Sequence, residues 1–155
     1  MSDYADSYMG SILAELAVQL VGLDLPAVGA RWTIQKLPMM RLGGQVVGAI
    51  WGIDDKPQEK GGTCGADDID YTIGIAIGRP GNQSLTADIA EKAFERQAIR
   101  ELLHHKPQAL AASGAPVYDI TVRRGTMIEV AAFKQNVDIH AWIIRATTRE
   151  PRQPL

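Results

Sequence analysis

The stretch Ile69-Asp-Tyr-Thr-Ile-Gly-Ile-Ala-Ile-Gly78 constrains this chain more than any other. Its apolar residues recur with period two, the period of a strand. Tyr71, Ile73, Ile75 and Ile77 fall on one face, and Thr72, Gly74, Ala76 and Gly78 on the other. The bulky face demands a hydrophobic layer. The nearly bare face admits something at close range: another backbone, a packed element or a neighbouring subunit. A turn, Arg79-Pro-Gly-Asn-Gln83, follows, and Ser84 suits the N-cap of a helix reaching about Lys106. That helix is expected to cover the bulky face, setting Ile89, Phe94 and Leu102 against the isoleucines. No residue of this unit carries a catalytic pattern.

The flanking elements follow from the same periodicities. Residues 3–21 read as an amphipathic helix, with Asp3 or Asp6 as cap, Ile12, Leu16 and Leu20 on its apolar stripe, and Gly22 as its stop. Residues 31–36 and 45–53 read as strands, the second with apolar residues on both faces. Residues 54–68 are polar and glycine-rich, a long connection of the kind that is usually functional or flexible. Residues 117–122 and 136–148 read as strands. In the last of these Val137, Ile139, Ala141 and Ile143 form the apolar face, leaving His140 and Trp142 on a surface or interface side. Residues 127–133 fit a strand or a short helix, and the tail 149–155 reads as extended. The order is helix, strands, helix, strands. It predicts one α+β domain over 1–155, with a mixed or antiparallel sheet and two main helices packed on one face.

Composition narrows the function classes. The 155 residues are 46% hydrophobic and 22% charged, with a net charge of −2, so bulk charge gives no drive toward nucleic acid. The single cysteine, Cys64, excludes a disulfide framework within the chain and a cysteine-rich metal site. The start, Met-Ser-Asp-Tyr-Ala-Asp, lacks the positive region of a signal peptide, and no apolar run approaches the ~20 residues of a membrane helix. Manufacture in the cytoplasm is expected.

The candidate sites are sparse. Gly61-Gly62-Thr63 follows Lys60, whereas a phosphate loop needs its lysine after the glycines and a helix opening there. Pairing of strands 45–53 and 69–78 would bring Asp54 and Asp55 near Asp68 and Asp70, an oxygen-rich set in no metal-loop order. His104 and His105 sit in a last helical turn, where cations complement the dipole. Neighbours on a helix point about 100° apart, so the two cannot chelate together. Cys64 lacks a helix N-terminus or fixed base to activate it. Arg123, Arg124, Arg145, Arg149 and Arg152 make the C-terminal third locally basic, yet few aromatics interleave with them.

Several stretches carry a resemblance: Val28-Gly-Ala-Arg-Trp32, the strand opening at Asp70-Tyr71, Val117-Tyr-Asp-Ile120, Phe133-Lys-Gln-Asn-Val-Asp-Ile139 and Ile143-Ile-Arg-Ala-Thr-Thr-Arg-Glu-Pro151. In this order, behind an amphipathic N-terminal helix, they resemble the small tail-terminator, or tail-completion, proteins of tailed bacteriophages and related particles. The resemblance implies a non-enzymatic virion protein, made in the host cytoplasm and residing at the tail–neck junction. Its partners would be further copies in a ring, typically a hexamer, the tail tube protein and neck or head–tail connector proteins. DNA would at most pass through the ring lumen. No cofactor, metal or membrane is implied. Ring contacts join two different patches, and large aromatics dominate interfaces. Trp32, Trp51 and Trp142 are therefore interface candidates, with Asp54, Lys60, Arg123, Arg124 and Arg149 beside them. The alternatives are a small ligand-binding or enzymatic domain using the 54–68 loop, and a nucleic-acid module using the arginines.

Overall fold

The computed structural model describes residues 7–36, 42–57, 65–81, 85–125 and 137–151. The elements run α1 (Met9–Gly22), β1 (Trp32–Ile34), β2 (Val47–Pro57), β3 (Ala66–Pro80), α2 (Leu85–Leu103), a 3-10 helix (Pro107–Ser113), β4 (Val117–Gly125) and β5 (Val137–Pro151). The five strands form one sheet in the order β1-β2-β3-β5-β4. β1 pairs with β2 in parallel, and every other pair is antiparallel. The protein is a mixed α+β fold with two major helices and a mostly antiparallel sheet. Among the described residues, no helix is long and apolar enough to cross a membrane.

The alternation in β3 organises the sheet. Tyr71, Ile73, Ile75 and Ile77 are all buried and pair directly with Ala146, Ile144, Trp142 and His140 of β5. They join the main core with Ile12, Leu16 and Leu20 of α1, Ile99 and Leu103 of α2, Leu110 of the 3-10 helix, and Ile120 and Val122 of β4. Both helices therefore lie on this face of the sheet. Fully burying an isoleucine or leucine contributes about 1.5–3 kcal/mol relative to leaving it exposed, so this layer is the principal source of stability.

The strands reach further than the periodicity indicates. Asp54–Pro57 remain in β2 and Ala66–Asp68 begin β3, so the expected flexible loop 54–68 shrinks from both ends. β5 continues through Arg149 to Pro151, correcting the reading of residues 149–151 as tail. A register shift between Gly52 and Asp54 leaves Ile53 47% exposed. The undecided segment 127–133 lies outside the described residues, as do the proposed caps Asp3, Asp6 and Ser84.

α2 covers the bulky face, but with a different stripe from the expected one. Ile89 and Phe94 are 61% and 52% exposed, and the buried positions among the described side chains are Asp88, Glu95, Ile99 and Leu103. Leu102 is only partly buried against the core. The faces of β5 are likewise exchanged. His140 and Trp142, read as an outward side, are buried in the main layer, while Ile139 and Ala141 belong to a smaller cluster on the opposite face.

Candidate functional site

Two tryptophans explain two glycines. Trp51 is paired directly with Gly74, and a β-carbon on Gly74 would lie 2.3 Å from Trp51 Cζ2. Trp32 is paired directly with Gly48, where an added β-carbon would lie 2.3 Å from Trp32 Cε3. The two indoles lie on opposite faces of the sheet: Trp32 in the main core, Trp51 with Ala49, Ala76 and Ala141 in the second cluster. The bare side of β3 is thus a seat for an indole from the adjacent strand. Trp142 is also buried, its ring centroid 4.0 Å from that of His140. All three tryptophans, offered by the sequence as interface candidates, are buried within the chain.

The face opposite the two described helices changes character along β3. Beyond the small-residue cluster it becomes charged. Arg149 donates from Nε to Asp68 Oδ1 at 2.8 Å and from Nη2 to Asp68 Oδ2 at 3.2 Å. Asp68 is buried, and the Arg149 guanidinium also lies 5.6 Å from the centre of the Tyr118 ring. The Asp68 carboxylate raises the Arg149 pKa, and burial followed by the hydrogen bond with Asp68 raises that of Tyr118. Thr147 Oγ1 donates to Asp70 Oδ1 at 2.7 Å, and Arg145 Nε stands 4.0 Å from Asp70 Oδ2. Asp55 accepts from Ser7 Oγ at 3.0 Å. The four acids are thus separately engaged or dispersed rather than gathered. Among the described residues, no three His, Cys, Asp or Glu side chains come together as a metal site.

At the same end, Tyr71 ties three elements. Its hydroxyl donates to Glu150 Oε2 at 2.8 Å and accepts from the Tyr8 N–H at 3.3 Å, just before α1. Burial and the adjacent Glu150 carboxylate push its pKa up to about 12.

A buried polar cluster lies between α2 and the opposite ends of β3 and β5. Arg79 is fully buried, pairs with Glu95 through Nη2, and donates from Nε to Glu91 Oε2 at 3.2 Å. His140 Nδ1 lies 3.5 Å from Glu95 Oε1. Arg79 Nη1, Glu95 Oε1, His140 Nδ1 and Asp88 Oδ1 are buried without a hydrogen-bond partner. Lys92 and Asp138 form an outer pair at 2.6 Å. This arrangement holds the first half of α2 on the sheet. The sequence carried a signal for it. Asp88, Glu95, Ile99 and Leu103 share one helical stripe, and Arg79 keeps the parity of the isoleucines.

The remaining candidates divide plainly. Asp54, Arg123 and Arg124 are exposed on β2 and β4, and Arg149 is exposed but engaged by Asp68. Lys60, Cys64 and Arg152 lie outside the described residues. His104 is no dipole-complementing cation. Its Nδ1 accepts the Val122 N–H at 3.1 Å, while His105 Nδ1 lies 3.0 Å from Asp119 Oδ1.

Set against known proteins, the chain matches no protein-family model and no curated protein.

Proposed function

We propose that this chain is a virion structural subunit: a tail terminator whose copies form a ring, a hexamer, capping the tail tube and joining it to the neck. The observation that carries the reading is the two-faced sheet. Both described helices serve one face, and the opposite face carries a buried small-residue cluster that gives way to a charged end. Exposed Asp54, Lys56, Arg123 and Arg145 border that end with both signs of charge. A heterologous ring contact needs two unlike, preformed patches, and mixed charge selects the register of approach. The exposed Ile89 and Phe94 of α2 add apolar side chains of different character. Tube and neck proteins are the partners this reading requires.

Native mass measurement of the full chain, alone and with purified tail tubes, tests the proposal. Rings in solution, or rings seated on tube ends in electron micrographs, are expected. A strict monomer that ignores the tubes overturns it.

A further inference from the structure

The outer edge of β4 is closed by the end of α2. Among the described residues β4 is the terminal strand of the sheet, so alternate N–H and C=O groups on its outer side meet no described strand. At Ile120 and Val122 three contacts replace that strand. The His105 N–H donates to the Ile120 carbonyl at 2.7 Å, and the Arg100 guanidinium reaches the Val122 carbonyl at 3.4 Å. The Val122 N–H donates to His104 Nδ1 at 3.1 Å. A backbone N–H can only donate. His104 Nδ1 must therefore be unprotonated, which fixes the neutral imidazole with its hydrogen on Nε2.

We propose that His104 is a proton-operated clamp on the β4 edge. Neutral, it holds the last turn of α2 against Val122; protonated, it releases the Val122 N–H and opens the edge. The imidazolium has no lone pair on Nδ1, so protonation and this bond exclude each other. The charged groups around it act on the same balance. Arg100 in the last turn of α2 and His105 in the turn beyond it oppose a further positive charge, with the His105 ring centroid 4.0 Å away. Asp119, across on β4, favours one but is engaged with His105. Partial burial, then Arg100 and His105, lower the His104 pKa below its ordinary 6.5. The folded chain thus takes up this proton later than the unfolded chain. The clamp's contribution to stability is present above 6.5 and is lost as pH falls through the lowered value. Opening the edge exposes a strand-pairing group, so the device ties edge availability to acidity.

Nitrogen-15 NMR on the full chain tests this. At neutral pH the imidazole correlations should report the Nε2–H tautomer. As pH falls from about 8 through the lowered His104 value, hydrogen-exchange protection of the Val122 amide, corrected for intrinsic rate, should fall roughly fivefold to tenfold, the worth of one hydrogen bond. The Thr121 amide, pointing toward β5, should hold its protection. His104→Gln offers an amide oxygen that accepts without titrating, so its Val122 protection should no longer depend on pH. An Nδ1–H tautomer in the parent chain overturns the proposal. So does pH-independent Val122 protection there, or unchanged pH dependence in His104→Gln.

Discussion

At Gly74 the structure leaves no room for a β-carbon, because the Trp51 indole occupies that position from the neighbouring strand. Gly74→Ala should therefore cost about 1–3 kcal/mol through overpacking, although alanine suits a strand better than glycine. Urea unfolding midpoints measure this, and replacing Trp51 with leucine in the same chain should return part of the loss. The alternation that exposed this glycine was plain in the sequence. The identity of its visitor was not, because a bare strand face fits a neighbouring subunit as well as an indole. The same limit governed His140. Read by local alternation it belonged to the polar side, and only pairing with Ile77 placed it in the core. His104 was legible as a helix-terminal residue, but its role depends on an edge strand brought alongside by tertiary structure.

At the level of elements, α2 shows how a buried charge can override an apolar stripe. Arg79 ends the bulky face of β3 inside the fold, and it requires carboxylates. The helix turns Glu95 toward it, leaving Ile89 and Phe94 outside. Helical periodicity gave the existence of α2. Its rotation was set by a partner on another strand. Arg79→Met should destabilise by about 3–5 kcal/mol, because Glu95 would then be a buried carboxylate beside His140 alone. Arg79→Met combined with Glu95→Gln should lose less than the sum of the two single changes, and a double-mutant cycle in urea measures that coupling. The α+β class, the helix positions and the pairing of β2 with β3 were readable from pattern and spacing. The ends of β2, β3 and β5 were not. Residues such as Asp55, Lys56, Asp67 and Arg149 suit loops by type, and they stay in strands because their neighbours pair with them.

Across the whole molecule, Tyr71 joins the entry of α1 to the end of β5 through one hydroxyl. The unfolded chain ionises this tyrosine near 10.0, whereas the folded chain holds its proton to about 12. The unfolded state therefore releases the proton first, and the stability this group provides is lost as pH rises from 10.0 toward 12. Melting temperatures should fall across that window and fall less in Tyr71→Phe. The sheet order has another consequence, in time rather than in energy. The longest strand pair, β3 with β5, forms the centre of the sheet, and α2, the 3-10 helix and β4 all lie within the loop that it closes. Such a closure costs chain entropy before its pairing returns any, and folds dominated by these contacts fold in roughly milliseconds to seconds. The β2–β3 pair can form early as a local unit. Until β5 arrives, the Ile73–Ile75–Ile77 ridge stands open along one edge, so the interval before that last pairing is when the chain is most vulnerable to joining a wrong partner.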